Sequence, residues 1–351
     1  MTNVTAPTPF DPRSASSDQW SRYHAFRLRR HAESRPDDPV DSDRLARADL
    51  EREHPEEVSE RLLTDDGSEV SSMATLWSPR PGAASYDSNR GILWFDLYVL
   101  KDHRGRGIAR SYLRGLLELA QRHEGRVVGL VAEDEDGHAA ARSFGFEKKS
   151  DERYSRLDLE GLDWRMVEEW AEDGPRRSPD RRMELFTNWP PREQWPEYSR
   201  VITELFNTIP WEEEEHGDLA ITPEKLAELT KLLTTTDGRV LSVVVREPDG
   251  NITALTEMAL WEEQPKHAWQ WLTAVHRSVQ GNRIGRWIKA AMLLHIRENF
   301  PAVRWIITSN AGSNVPMLKI NQELGFQAYR STSGYQMSMA DFAATVGRRA
   351  R

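Results

Sequence analysis

Apolar and polar positions change rhythm along the chain in an order that occurs twice. In "ERLLTDDGSEVSSMATLW" two short apolar runs flank Asp66-Gly67, the pattern of a hairpin, and "GILWFDLYV" is a strongly apolar strand ending at Val99. Ile108, Tyr112, Leu113, Leu116, Leu117 and Ala120 then keep helical spacing until Gly125, read as a C-terminal cap, and "RVVGLV" is a buried strand. The same order restarts downstream. "RVLSVVVREPDGNITALTEMALW" is a hairpin around Pro248-Asp249-Gly250, "AWQWLTAV" an apolar strand, Ile284–Glu298 a helix stopped by Asn299 and Pro301, and "VRWIIT" a strand. Val99 and Val275, at matching places, lie 176 residues apart, so the repeat is a whole α/β domain rather than a solenoid unit.

Four segments are expected: a disordered tail at 1–18, rich in Pro, Ser, Thr and Asp; an N-terminal domain at 19–171; a linker at 172–182, where "EDGPRRSPDRR" mixes prolines with dense charge; and a C-terminal domain at 183–351. A length of 351 residues fits two cores. The formal charge of -9 argues against charge-driven binding of nucleic acid, and no stretch is apolar enough to suggest a membrane span or an export signal. With no cysteine, disulfides, thiolate metal sites and a cysteine nucleophile are excluded, which is compatible with a cytoplasmic location; no His/Asp/Glu spacing suggests a metal. The 13 tryptophans, among them Trp269, Trp271 and Trp287, read as core.

The chemistry sits between strand and helix. "VLKDHRGRGIARSYLRG" and "VHRSVQGNRIGRWIKAAM" each join a strand to a helix through a loop of glycine and arginine. A helix N-terminus leaves amide hydrogens unpaired and partly positive, and glycine lets a ligand approach them, so the expected ligand carries phosphate. Arg104, Arg106 and Arg110 add charge in the first copy, Arg283 and Arg286 in the second. The alternative is a tight turn with solvent-facing arginines. No GxxxxGK[ST] is present, and "GRGIAR" lacks the third glycine of a dinucleotide fingerprint.

"RGRGIA", Arg104 to Ala109, resembles the Q/R-x-x-G-x-G/A loop of the GNAT acyltransferase superfamily. "QGNRIG", Gln280 to Gly285, is a variant with Arg283 at a usual glycine. "NVPMLKINQELGF" from Asn314 is similar to the family's asparagine-to-GF segment, where the first copy has Asp134. The two-copy layout is similar to tandem-GNAT acetyltransferases, the group that includes mycothiol synthase. The resemblance implies two tandem GNAT folds, α/β with a mixed sheet, binding acetyl-CoA where two parallel strands splay. It implies that pantetheine lies on Leu97, Tyr98 and Val99, or on Thr273, Ala274 and Val275 with Asn314 nearby. Pyrophosphate would lie on Arg104, Gly105, Arg106, Gly107, Ile108, Ala109 and Arg110, or on Gln280, Gly281, Asn282, Arg283, Ile284, Gly285 and Arg286.

The reaction so implied is N-acetyl transfer to a primary amine, a small molecule or peptide, by direct attack on the thioester, with the N-terminal domain binding CoA or supporting the fold. An amine of pKa about 10.4 must lose a proton first. Glu257, on the strand before the cofactor strand, is the expected base, and aligning the hairpin turns puts Met73 or Ala74 opposite it in the first copy, which favours the C-terminal domain for chemistry. His276 is a second candidate. The family's tyrosine acid falls on Asn321 and Ala141, leaving Tyr335, a water or no acid. "WEEEEHGD", Trp211 to Asp218, is expected between the first two helices of the second domain, either drawing a cationic acceptor or simply solvated. The rival reading of the whole is an inactive CoA-binding or protein-interaction module.

Overall fold

The computed structural model describes residues 5–349, with the elements β1 (Thr8–Pro9), α1 (Ser17–Ser34), α2 (Asp43–Glu51), β2 (Glu57–Asp65), β3 (Val70–Pro79), α3 (Tyr86–Asn89), β4 (Ile92–Val99), α4 (Ile108–Arg122), β5 (Val127–Ala132), α5 (Glu135–Phe144) and β6 (Glu147–Asp158). Then follow α6 (Trp164–Arg177), β7 (Arg182–Thr187), α7 (Trp195–Phe206), α8 (Pro223–Thr235), β8 (Gly238–Arg246), β9 (Ile252–Trp261), β10 (His267–Val275), α9 (Ile284–Asn299), β11 (Trp305–Ala311), α10 (Val315–Leu324), β12 (Gln327–Ser338) and α11 (Met339–Arg349). Both predicted hairpins, both loop-helix transitions and the strands beside them form where the periodicity places them.

The chain divides into two compact units, and their boundaries are not those expected. Unit 1 comprises residues up to Asp151, Trp211–Asp218 and Thr332 onward; unit 2 comprises Glu152–Pro210 and Leu219–Ser331. In unit 1, β1 to β5 are neighbours in order, and Ser333–Ser338 of β12 pair with Val127–Ala132. In unit 2, β7 to β11 are neighbours in order, and residues 152–158 of β6 pair with Trp305–Ala311. Each copy therefore surrenders its last strand and helix: β6 and α6 complete unit 2, β12 and α11 complete unit 1.

Each unit buries both faces of its sheet. In unit 1, α4, α5 and α11 cover one face through Tyr112, Leu116, Phe144 and Phe342, and α1 covers the other through Trp20, Tyr23 and Phe26. In unit 2, α6 and α9 cover one face through Val167, Trp287 and Ile288, and α7 and α8 the other through Tyr198, Leu205 and Leu226.

Two expected boundaries are corrected. Residues 1–4 and 350–351 lie outside the described residues, but Thr8 and Pro9 pair with Leu63 and Leu62, Phe10 is buried and stacks on Tyr23, and Ser16 opens α1 with a capping box; the apolar Phe10 anchors a segment whose composition suggested disorder. The 172–182 stretch is not a linker either. α6 runs through it to Arg177 with Pro175 inside its last turn, and Gly174 is there for packing, since a Cβ would lie 2.2 Å from the Trp287 ring. Gly174→Val should cost about 1–3 kcal/mol in urea denaturation through overpacking; an unchanged midpoint would mean that α6 does not pack this closely on α9.

Candidate functional site

In unit 1 the parallel pairing of β4 and β5 stops after Phe95 and Leu130. Beyond it the strands part, and the gap opens into a cavity of about 360 Å³. Its wall includes Leu97, Tyr98 and Val99 of β4, then Arg104, Gly105, Gly107, Ile108 and Ala109, so the residues expected to hold the coenzyme converge there. Gly105 (φ 74°) and Gly107 (φ 85°) are left-handed, a conformation open to glycine at little cost, and they turn the chain so that the first amides of α4 face outward.

The arginines have structural partners. Arg104 donates through Nε to the Val99 carbonyl (3.0 Å) and pairs with Asp134 (2.9 Å) and Asp136 (2.7 Å), so it ties the loop to the start of α5. Asp134, N-cap of α5, is held below the usual carboxylate range by Gly137 N and Arg104 against its own burial. Arg106 is exposed and donates to the Asp102 carbonyl, and Arg110 is exposed at the first turn. The remaining carboxylates of the cavity wall are also matched: Asp96 pairs with Arg30 at 2.6 Å and Glu133 with Arg35. The Tyr98 hydroxyl, raised by burial, donates to Glu33.

Unit 2 repeats the plan. β10 and β11 pair only from His267/Trp305 to Trp269/Ile307 and then part; Thr273, Ala274 and Val275 lie on the free stretch. Gln280 donates to the Val275 carbonyl (3.2 Å), the bond that Arg104 makes to Val99 in unit 1. Gly281, Asn282 and Arg283 are exposed, Ile284 and Gly285 buried. Arg283 takes the left-handed conformation of Gly107 (φ 60°), and its side chain turns toward Asp173 of α6, 3.7 Å away. Arg286 pairs with Glu323 (2.7 Å) and stacks on Trp170, while Asn314 caps α10 at Met317 N. Arg283→Gly should therefore stabilise the fold by about 1 kcal/mol, because it relieves a left-handed non-glycine and loses only an exposed ion pair; a lower thermal midpoint would show that the Asp173 contact outweighs the backbone cost.

Glu257 is buried at 4% exposure and does not face outward. Its Oε1 accepts from Tyr198 Oη (2.5 Å) and Trp189 Nε1 (2.7 Å). Burial pushes its carboxyl up, against the pull of those two bonds. It sits opposite a bulge in β10 between Gln270 and Thr273, and strand register makes Thr75, opposite Asp96, its counterpart in unit 1 rather than Met73 or Ala74. Alignment on the turns missed this because the second turn is one residue longer, 247–251 against 66–69, and its glycine lies one residue nearer the strand that follows.

Three further expectations change. Tyr335 pairs with Leu130 and is buried in unit 1, its hydroxyl 3.0 Å from His138 Nδ1, so it does not share a unit with Glu257. "WEEEEHGD" belongs to unit 1. Its glutamates bind the Asp151 amide, Ser150 and Arg126, which the sequence could not signal because these partners lie outside the second copy. Trp271 is 38% exposed rather than core, whereas Trp269 is half-buried against the core and Trp287 is inside it. His276 contacts Glu204 (3.1 Å) and Ser278 (2.7 Å). Asn321 donates to Asn310 Oδ1 (2.8 Å), and Ala141 is core. Among the described residues no group of side chains is arranged to hold a metal, and no helix is long and apolar enough to cross a membrane.

Residues 20–146 match the family described as Acetyltransferase (GNAT) family. No curated protein sequence matches the chain significantly. Among solved structures, a tandem GNAT protein from the clavulanic acid biosynthesis pathway is 19% identical, with a TM-score of 0.76, covering 95% of this chain and 98% of that one. A GCN5-related N-acetyltransferase from Sphaerobacter thermophilus is 14% identical, with a TM-score of 0.63 and coverage of 93% and 94%. Saccharomyces cerevisiae N-myristoyltransferase, solved with myristoyl-CoA, is 11% identical, with a TM-score of 0.55 and coverage of 96% and 80%. At these identities the likeness is one of fold. Residues 20–146 thus match the GNAT acetyltransferase family, and the chain as a whole carries the fold of a tandem GNAT protein.

Proposed function

We propose that the protein is an acyl-CoA-dependent N-acyltransferase acting on a primary amine, with coenzyme clefts in both units and chemistry in unit 2. The observation that carries this reading is the unit 1 cavity, whose wall joins the free end of β4 to the glycine loop and the first turn of α4. Backbone amides there suit a pyrophosphate, and the exposed edge of β4 suits the amides of a pantetheine arm. The wall beside Phe95, Leu97 and Leu113 is apolar, which suits an uncharged acyl group such as acetyl in unit 1.

Charge pairing separates the two units. Asp96, Glu133, Asp134 and Asp136 in the unit 1 cavity all answer arginines, which leaves none of them an unpaired base. The hydrogen-bond partners of Glu257 are neutral, and its raised proton affinity brings it closer to the range in which a carboxylate accepts a proton from an amine. The base takes one proton, the freed amine attacks the thioester carbonyl, and as the tetrahedral intermediate collapses the C–S bond breaks, CoA leaves as a thiolate of low basicity, and the second proton of the nitrogen passes to that thiolate or to water. Asn321 and Ala141 at the places of the family's tyrosine favour a second reading, a module that keeps acyl-CoA without turnover.

Calorimetry with acetyl-CoA, followed by thiol release over a panel of amines, tests both. Heat of binding with acceptor-dependent release is the expected result. Binding without release leaves the module, and no binding removes both.

A further inference from the structure

The residues of unit 2 that correspond to the apolar wall of the unit 1 cavity are polar. Gln270 is the first residue of β10 beyond the last pair with β11. Its Nε2 donates to Thr256 Oγ1 (2.9 Å) and to the Glu257 carbonyl (2.6 Å), and its Oε1 accepts from Lys289 Nζ of α9 (3.3 Å). Thr256 Oγ1 in turn lies 2.7 Å from Thr273 Oγ1. With the one-residue bulge counted, the unit 1 counterparts of Thr256, Thr273, Gln270 and Lys289 are Ala74, Leu97, Phe95 and Leu113. Three of these four line the unit 1 cavity.

Lys289 is 2% exposed, and among the described residues it has no acidic partner: it meets the Gln270 amide oxygen and, at 5.4 Å, the face of Phe326. Burial alone brings its pKa down to about 7. An ammonium has three hydrogens to donate, and Gln270 takes one; the Gln270 amide hydrogens are themselves already used. The cluster is thus rich in donors and short of acceptors. An acetyl methyl would satisfy none of them, whereas a carboxylate brings acceptor lone pairs and the missing negative charge.

We propose that unit 2 takes an acyl-CoA whose acyl group ends in a carboxylate, with the ammonium of Lys289 as its counter-ion. This rests on the reading of unit 2 as a coenzyme cleft. The two clefts then hold different acyl groups, a small apolar one in unit 1 and an acidic one in unit 2.

The probes are succinyl-CoA and butyryl-CoA, equal in carbon number and different in charge, titrated into the full chain and into Lys289→Met. Hydrogen exchange over residues 281–286 reports occupancy of unit 2, and exchange over 105–110 reports unit 1. Succinyl-CoA should protect 281–286 at a concentration lower than butyryl-CoA by about tenfold or more, a preference that Lys289→Met abolishes. An equal ratio in both proteins, or a preference for butyryl-CoA in the wild type, overturns the proposal. So does intact-mass and peptide detection of an amide on Lys289, which would make the amine a nucleophile rather than a counter-ion. If free CoA also fails to protect 281–286 while protecting 105–110, the reading of unit 2 as a coenzyme cleft falls first and the proposal with it.

Discussion

Lys289→Met should raise the stability of the protein at pH 7 by on the order of 2–4 kcal/mol, read as a shift of the urea midpoint at constant slope. The lysine is buried beside neutral groups, and burial moves its pKa from 10.5 to about 7. In the unfolded chain the amine binds its proton up to about pH 10.4, while in the native state it releases it near neutrality. Between these values the unfolded state holds more protons, so this group makes the native protein more stable as pH rises. The advantage of the methionine variant should therefore shrink from pH 7 toward pH 10. A gain independent of pH would mean that the amine is solvated in the native state. A lysine that costs stability at a place where the other unit has Leu113 is the pattern expected of a group retained for binding.

The second large effect is on turnover. Glu257→Gln should lower acceptor-dependent thiol release by about 10²–10⁴-fold with little change in acyl-CoA affinity, because glutamine keeps an oxygen for Tyr198 and Trp189 but cannot take the proton. The pH profile of kcat/KM gives a readout that a purely structural role would not move. In the wild type its rising limb should lie above the ordinary carboxylate range, since burial raises Glu257, and in the variant that limb should disappear. Stability carries the matching sign: the native carboxyl holds its proton to higher pH than the unfolded one, so this residue's contribution declines as pH rises from 4.5 through its native value. A variant with full turnover and an unshifted profile would remove Glu257 as the base and return the chemistry to an open question between the two units.

Much of this was legible along the chain. The hairpins around Asp66-Gly67 and Pro248-Asp249-Gly250, the strands ending at Val99 and Val275, and the helices from Ile108 and Ile284 are written in local periodicity and turn residues, and so is the duplication. The loop from Arg104 to Ala109 was legible for the same reason, since two glycines before an amphipathic helix define a backbone path by themselves. The places where the reading failed are all non-local. Gly174 and Pro175 look like punctuation until Trp287 is seen against them, and Arg104 looks like a phosphate ligand until Asp134 and Asp136 arrive from the next helix.

What the sequence determined by itself is the content of the two repeats: which residues form strands, which helices are amphipathic, where a phosphate could rest. What only the tertiary structure decided is which repeat each piece serves. The last strands, EKKSDERYSRLD in β6 and QAYRSTSGYQMS in β12, are largely polar and their partners are set by pairing across the sheet, so β6 with α6 and β12 with α11 carry no local mark of the unit they complete, and Tyr335 and the glutamates of residues 211–218 follow that partition. The bulge in β10 is likewise a matter of pairing between strands: it sets Gln270 against Phe95, while the register of β9 on β10 sets Glu257 against Thr75.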